Sequence, residues 1–147
     1  MARFNQTWLF EVSWEVCNKV GGIHTVLRTK ASHAVGEFGD NYIMVGPLLP
    51  QNVEFEETDE ACWRPLREPL AVKGIEFRFG RWAIPGRPKV VLIKADSRYD
   101  KDQILYRLWE QFGVDSIAGS WDYIEPVLFS TACGEVIHTL VKTLSRD

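Results

Sequence analysis

Residues 7–46 read TWLFEVSWEVCNKVGGIHTVLRTKASHAVGEFGDNYIMVG and decide the fold. The run at 7–12 predicts a largely buried first strand, and residues 41–45 (NYIMV) predict a second one that closes at Gly46-Pro47. Between them, apolar residues recur at intervals of three and four, the stripe of an amphipathic helix; they are Ile23, Val26, Leu27, Ala31, Ala34, Val35 and Phe38. Strand, glycine-rich turn, helix and strand form a βαβ unit, which implies parallel pairing with a right-handed crossover.

The middle of the chain is less regular. Residues 51–69 are acidic and contain two prolines, so we expect a loop with a short helix there. Alternating apolar residues at 75–79 predict a half-buried strand, and the apolar run at 89–95 predicts a buried one. Pro85-Gly86 suits the two central positions of a type II turn. These two strands are therefore predicted to form a hairpin added to the sheet.

Two further helices complete the prediction. The first is marked by Ile104, Leu105, Leu108, Trp109 and Phe112. The closing helix is expected to start near Pro126, since a proline in the first turn costs little. No linker or repeat divides the chain. We therefore predict an α/β protein, a Rossmann-like three-layer domain with a mainly parallel sheet over residues 1–147.

Composition excludes several classes of function. The net charge is −3, so the chain has no overall attraction for nucleic acid. Its longest charge-free run, residues 41–53, is too short and too rich in proline to span a membrane. The N-terminus lacks a signal-peptide pattern. The three cysteines are odd in number and widely spaced, so we expect reduced thiols and a cytoplasmic protein.

The strongest candidate site is the run Lys19-Val20-Gly21-Gly22 at the start of the first helix. A loop that follows a parallel strand lies at the edge where open α/β sheets bind ligands. Free N–H groups and the dipole of a helix N-terminus favour an anion, and paired glycines let the backbone approach it. Lys19 adds a positive charge. The pattern predicts a phosphate or diphosphate site; the alternative is a sharp turn with a solvated lysine. It matches neither GxGxxG nor GxxxxGK[ST].

Two carboxylates precede this loop. Glu11 and Glu15 lie four residues apart, a spacing that invites comparison with the carboxylate pair of a glycosidase. Nothing in the sequence sets the distance between their side chains. Ion pairs with Lys19 or Arg28 are the favoured interpretation.

Other residues of the chain have two interpretations each. His24 lies in the first turn after the double glycine, where it either faces a ligand or is a partly exposed helix residue. Trp14 and Trp82 either stack on sugar rings or pack in the core. The three histidines are spread along the chain without the spacing of metal ligands, so no metal is expected.

Residues 9–27 (LFEVSWEVCNKVGGIHTVL) resemble the N-terminus of glycogen synthases of the eukaryotic type. These are retaining glucosyltransferases with the GT-B fold of two Rossmann domains. Three more blocks resemble the family in the same order: Gly39-Asp40-Asn41-Tyr42 leading to Val45-Gly46-Pro47, then Phe79-Gly80-Arg81-Trp82, and then Val127-Leu128-Phe129 before Gly134-Glu135. Two positions depart from the family, because His24 stands where many members have Tyr and Cys17 where many have Ala.

The resemblance implies a function for the loop. Lys19, Gly21 and Gly22 would bind the donor diphosphate, with Glu15 and His24 as sugar or loop contacts. It implies UDP-glucose or ADP-glucose as donor and the non-reducing end of glycogen or another α-1,4-glucan as acceptor, with no metal or other cofactor.

The resemblance also bears on what the chain lacks. The family's second Rossmann domain, its acidic residues and the later histidine of the first domain have no counterpart here. We therefore expect an N-terminal portion, inactive alone, with its catalytic residues beyond residue 147. An unfinished sheet edge and an exposed apolar face on the last helix would favour self-association, so oligomers are expected.

Two alternatives stay open at this stage. One is a non-catalytic α/β module that binds a phosphate or a glucan. The other is a different GT-B transferase, such as a sucrose or trehalose-phosphate synthase. A second Rossmann domain with two spaced glutamates in the downstream sequence would favour the synthase.

Overall fold

The computed structural model describes residues 7–96 and 98–144. Residues 1–6, 97 and 145–147 of the predicted domain lie outside this description, and so do the expectations about the N-terminal leader and the last three residues. The strands and helices follow in the order β1 Leu9–Val12, α1 Gly22–Phe38, β2 Tyr42–Pro47, β3 Phe55–Glu57, α2 Arg64–Val72, β4 Ile75–Trp82, β5 Lys89–Ala95, α3 Lys101–Phe112 and α4 Trp121–Leu144.

The five strands form one sheet in the order β1-β2-β5-β4-β3. β1, β2 and β5 are parallel neighbours, whereas β4 is antiparallel to both β5 and β3. β3 therefore runs in the same direction as β5, and β4 is the one strand that opposes the other four. The predicted β4–β5 hairpin is confirmed. Its turn places Gly86 at φ 95°, and the Arg87 N–H donates to the Ile84 carbonyl at 2.9 Å.

Helices cover both faces of the sheet. Successive residues of a strand point to opposite faces, so Tyr42 and Met44 pack under α1 while Ile43 and Val45 face α2 and α4. The α1 core is completed by Leu27, Ala31, Ala34, Trp82, Val90 and Leu92. The opposite core includes Trp63, Leu66, Leu70, Phe79, Val91, Ile93, Ala132, Val136 and Leu140. The three-layer α/β prediction is confirmed.

α4 begins five residues before the predicted start. Its first bonds come from the Tyr123 and Ile124 N–H groups, which donate to the Ser120 carbonyl at 3.0 and 2.9 Å. Pro126 therefore lies inside the helix, and its missing N–H leaves the Asp122 carbonyl without a helical partner. Asp122 is exposed, so water can satisfy that carbonyl. The predicted start at Pro126 is wrong.

The segment predicted as a loop with a short helix contains β3 as well as α2. β3 pairs closely with β4, where a Cβ on Gly80 would lie 2.1 Å from the Glu56 carbonyl oxygen. α2 tolerates Pro65 in its first turn and Pro69 in its interior. Burial of Leu66 and Leu70 against the sheet and α4 offsets the lost backbone hydrogen bond.

α3 packs against α4 mainly through one buried side chain, that of Leu105. The Asp100 carboxylate accepts the Gln103 N–H at 3.0 Å, so the helix starts at Lys101. Leu105 is the buried residue of α3, whereas Trp109 and Phe112 are 51% and 71% exposed. The predicted apolar stripe exists: Ile104 packs with Leu105 against α4, whereas its C-terminal end at Trp109 and Phe112 is largely exposed.

α4 is the one described helix whose length and mean hydropathy of 1.2 would allow it to cross a membrane. Its inner face packs in the sheet core through Ala132, Cys133, Val136 and Leu140. A helix buried in the core of a globular domain can have the same length and hydropathy, so these two properties do not indicate a membrane segment.

Candidate functional site

The loop between β1 and α1 is fixed at both ends. The Ser13 N–H donates to the Val45 carbonyl at 3.1 Å, which continues the β1–β2 pairing. Val16 and Cys17 are fully buried, and the Cys17 carbonyl accepts the Val53 N–H at 2.9 Å. Cys17 has φ 53°, a conformation that favours glycine, so the loop reverses sharply here. The backbone that follows is held at the carboxyl edge of the parallel strands.

The N-terminus of α1 has no capping side chain within the helix, although the Glu15 carboxylate accepts the N–H of Gly21 just before it. Gly21 is the N-cap residue and provides no side chain, and the first turn contains no acidic residue. The first N–H groups of a helix have no intrahelical acceptor, so those that follow Gly21 can serve an anion. A Cβ built on Gly22 would meet nothing within 4 Å, so the space beside it is open.

Lys19 lines a cleft of about 620 Å³ next to this helix start. Its side chain is exposed and forms no hydrogen bond or ion pair with any described residue. The other cation of the cleft, Arg28, is already paired with Glu54. The cleft is lined by Lys19, His24, Thr25, Arg28, Thr29, Val53, Glu54 and Pro85. Of the residues predicted from sequence, Lys19 and His24 line this cleft, whereas Gly21 and Gly22 lie between them in the chain and are not among the lining residues.

The two glutamates do not form the predicted ion pairs. The Glu11 carboxylate pairs with Lys30 at 2.8 Å, and the Glu15 carboxylate accepts the N–H of Gly21. Ion pairs of either glutamate with Lys19 or Arg28 are therefore wrong. Glu15 is 8% exposed and holds the loop from inside, so it is a loop contact.

His24 is buried, so its interpretation as a partly exposed helix residue is wrong. Its side chain is 4% exposed and lines the Lys19 cleft. The Nδ1 nitrogen lies 3.0 Å from the Glu15 carbonyl oxygen, and the ring lies 5.3 Å from that of Trp82. Trp82 is fully buried under α1, so its role in sugar stacking is excluded.

Trp14 lies at a second opening of the protein. Of the aromatic residues there, Trp14 alone was predicted from sequence as a possible sugar contact. Two adjoining clefts of about 440 and 300 Å³ lie where β1, β2 and β5 end, and both are lined by Trp14, Trp121, Glu125 and Phe129. Trp14 meets the Phe129 ring edge-on at 5.1 Å. Trp121 was missed, although an aromatic residue at the start of a helix on this edge of the sheet is a usable signal.

The thiols offer no reactive group near the loop. Burial raises the pKa of Cys17 and of Cys133 to about 12, and burial also raises the pKa of Cys62. All three are free cysteines. Among residues 7–96 and 98–144, no three His, Cys, Asp or Glu side chains are grouped as metal ligands.

Comparison with known proteins decides the family. The family model described as glycogen synthase matches residues 11–145, almost the entire chain. The chain belongs to the glycogen synthase family. It is 42% identical to the liver glycogen [starch] synthase of Mus musculus over 112 residues, which cover 72% of this chain and 16% of that protein. It is 37% identical to glycogen [starch] synthase isoform 1 of Saccharomyces cerevisiae, over 74% of this chain and 17% of that protein. It is 33% identical to isoform 2 of the same organism, over 88% of this chain and 21% of that protein. The chain thus spans about a fifth or less of these relatives.

Within this glycogen synthase domain, the block at residues 79–82 supports the fold. Gly80 leaves room for β3, and Trp82 fills the core under α1. Arg81 joins three segments, because its guanidinium lies 2.7 Å from Glu60 and 3.2 Å from Asp40. The block at residues 9–27 differs from it, because it carries the loop that opens onto a cleft. The family match therefore includes both the scaffold and the candidate site.

Proposed function

We propose that this protein binds the nucleotide-sugar donor of a glycogen synthase reaction through the loop Lys19–Gly22. The donor would be UDP-glucose or ADP-glucose, and its glucose would pass with retention to the non-reducing end of an α-1,4-glucan. One observation carries the proposal: in a member of the glycogen synthase family, an unpaired lysine lines an open cleft together with residues of the first turn of a helix that has no N-cap side chain.

The chemistry at this loop would be electrostatic. When the bond between glucose C1 and the phosphate oxygen breaks, negative charge develops on the departing diphosphate. C1 forms a new bond to an acceptor hydroxyl oxygen, and the proton of that hydroxyl passes to the departing diphosphate. The Lys19 ammonium and the N–H groups at the start of α1 would stabilise that charge from fixed positions. The open space beside Gly22 would allow the phosphate to approach the backbone.

The rest of the reaction would use parts that this sequence does not include. We place the remaining nucleotide contacts and the catalytic carboxylates in a second Rossmann domain, as in a GT-B enzyme, with water excluded when the two domains close. The clefts at Trp14 lie at the carboxyl edge of the sheet, and their aromatic lining suits a glucan. We further propose that no metal takes part and that the protein is cytoplasmic, which its three free thiols support.

Titration of the chain with UDP-glucose and ADP-glucose tests the donor site. We expect saturable binding that shifts the amide resonances of Gly21 and Gly22. Transfer itself is measured as incorporation of labelled glucose into glycogen by the protein expressed from its natural gene. Binding without any transfer by that protein would favour a non-catalytic module. Failure of both donors to bind would contradict the proposal.

A further inference from the structure

His24 has one ring nitrogen whose use the fold does not explain. Nδ1 lies 3.0 Å from the Glu15 carbonyl oxygen, and a carbonyl oxygen only accepts hydrogen bonds. Nδ1 must therefore donate its proton. A neutral imidazole with its proton on Nδ1 has an unprotonated Nε2, which is a hydrogen-bond acceptor.

Nε2 has no hydrogen-bond partner among the described residues, and it is not one of the fully buried side-chain atoms that lack a partner. The atom therefore keeps contact with solvent although the residue is only 4% exposed. His24 lines the Lys19 cleft, and Nε2 is its ring nitrogen that is not used by the Glu15 carbonyl. The buried Trp82 ring at 5.3 Å packs against the imidazole and restricts its orientation.

The other polar groups around the cleft are mostly donors or are already used. Lys19 and Arg28 donate, and the Thr29 hydroxyl donates to the Thr25 carbonyl. Glu54 is an acceptor, but Arg28 is paired with it. The Thr25 hydroxyl and the second Glu54 carboxylate oxygen can also accept, but both residues are exposed to solvent. Among the acceptors that line this cleft, Nε2 of His24 is the one that belongs to a buried residue.

We propose that His24 is a specificity-determining residue, whose Nε2 accepts a hydrogen bond from a hydroxyl of the bound nucleotide sugar. The hydroxyl belongs to the ribose or to the glucose. Lys19 and the helix N-terminus recognise the diphosphate, and His24 recognises the carbohydrate attached to it. This inference rests on the proposed function of the loop.

Two substitutions separate the two ring nitrogens. His24→Asn places an amide N–H near the position of Nδ1, which keeps a donor for the Glu15 carbonyl but removes the Nε2 acceptor. His24→Gln reaches the position of Nε2 and weakens the contact with Glu15. Titrations use three probes: pyrophosphate has no carbon-bound hydroxyl, UDP carries ribose hydroxyls, and UDP-glucose carries both sets. Thermal unfolding of each variant reports whether the loop is intact.

For His24→Asn we expect roughly a two- to tenfold weaker Kd for UDP-glucose and an unchanged Kd for pyrophosphate, as loss of one neutral hydrogen bond implies. An unchanged Kd for UDP assigns the hydroxyl to glucose, and a weakened one assigns it to ribose. In the unmodified chain, the ¹⁵N resonance of Nε2 should shift with UDP-glucose and stay in place with pyrophosphate.

Three results would overturn this assignment. If His24→Asn binds UDP-glucose as the unmodified chain does, Nε2 accepts nothing from the ligand. If the variant loses affinity for pyrophosphate and UDP-glucose equally, His24 acts only through the loop structure. If Lys19→Ala leaves the binding of all three probes unchanged, the proposed donor site itself fails, and the role of His24 fails with it.

Discussion

Lys19→Ala tests the donor site with little expected effect on the fold. The side chain is exposed and makes no polar contact with the described residues, so the free energy of unfolding should change by no more than about 0.5 kcal/mol. A charged hydrogen bond to a phosphate contributes about 1.5–3 kcal/mol. Its loss should therefore weaken the Kd for UDP roughly ten- to hundredfold, measured by isothermal titration calorimetry.

Lys73→Ala is the matched control. Lys73 is also an exposed lysine, but it follows α2, and the Lys19 cleft does not include it. This variant should bind UDP as the unmodified chain does, and both variants should keep the same Tm. The reasoning is refuted if Lys19→Ala retains full affinity for UDP, or if its loss of affinity follows a matching loss of Tm. Either result would leave Lys19 as a solvated lysine on a turn.

Three further predictions concern the loop and its scaffold. Gly22→Val should keep the Tm, because a Cβ there meets open space, and should weaken UDP binding in calorimetry more than Lys19→Ala does; a Kd closer to the unmodified value would contradict this. Glu15→Ala leaves the Gly21 N–H without its acceptor and should cost about 1–3 kcal/mol in urea unfolding, whereas an unchanged midpoint would show that the contact is dispensable. The hydrogen bond from Arg81 lowers the pKa of Glu60, so its stabilisation is present above the ordinary carboxyl range and is lost as pH falls through the lowered pKa. Glu60→Gln should therefore flatten the acid side of a Tm–pH profile, and a profile that keeps its slope would contradict the assignment.

Local patterns were enough to predict the βαβ unit and the hairpin. The apolar residues that predict α1 and β5 all lie within those two elements, and β5 is observed at the predicted residues 89–95. The double glycine and Lys19 are likewise close together in the sequence, so this loop could be proposed as a phosphate site before any contact was known, and phosphate binding there stays a prediction. Signals of this kind depend on neighbours along the chain.

The errors arose where distant segments decide the structure. The burial of His24 depends on Trp82, which is distant in the sequence and contacts the His24 ring only in the folded protein. Glu11 pairs with Lys30 because α1 runs back beside β1. Pro126 stays helical because the inner face of α4 is buried in the core. No local pattern encodes these contacts, so tertiary packing overrides the local preference.

Amide chemical shifts during titration with pyrophosphate test the central claim most directly. The probe carries the diphosphate charge alone, and every backbone N–H of the chain reports separately. The account predicts that the largest shifts fall on Lys19, Gly21, Gly22 and the first turn of α1, and that they disappear in Lys19→Ala. Shifts concentrated elsewhere, for example at Arg98, or no shifts at saturating pyrophosphate, would contradict it.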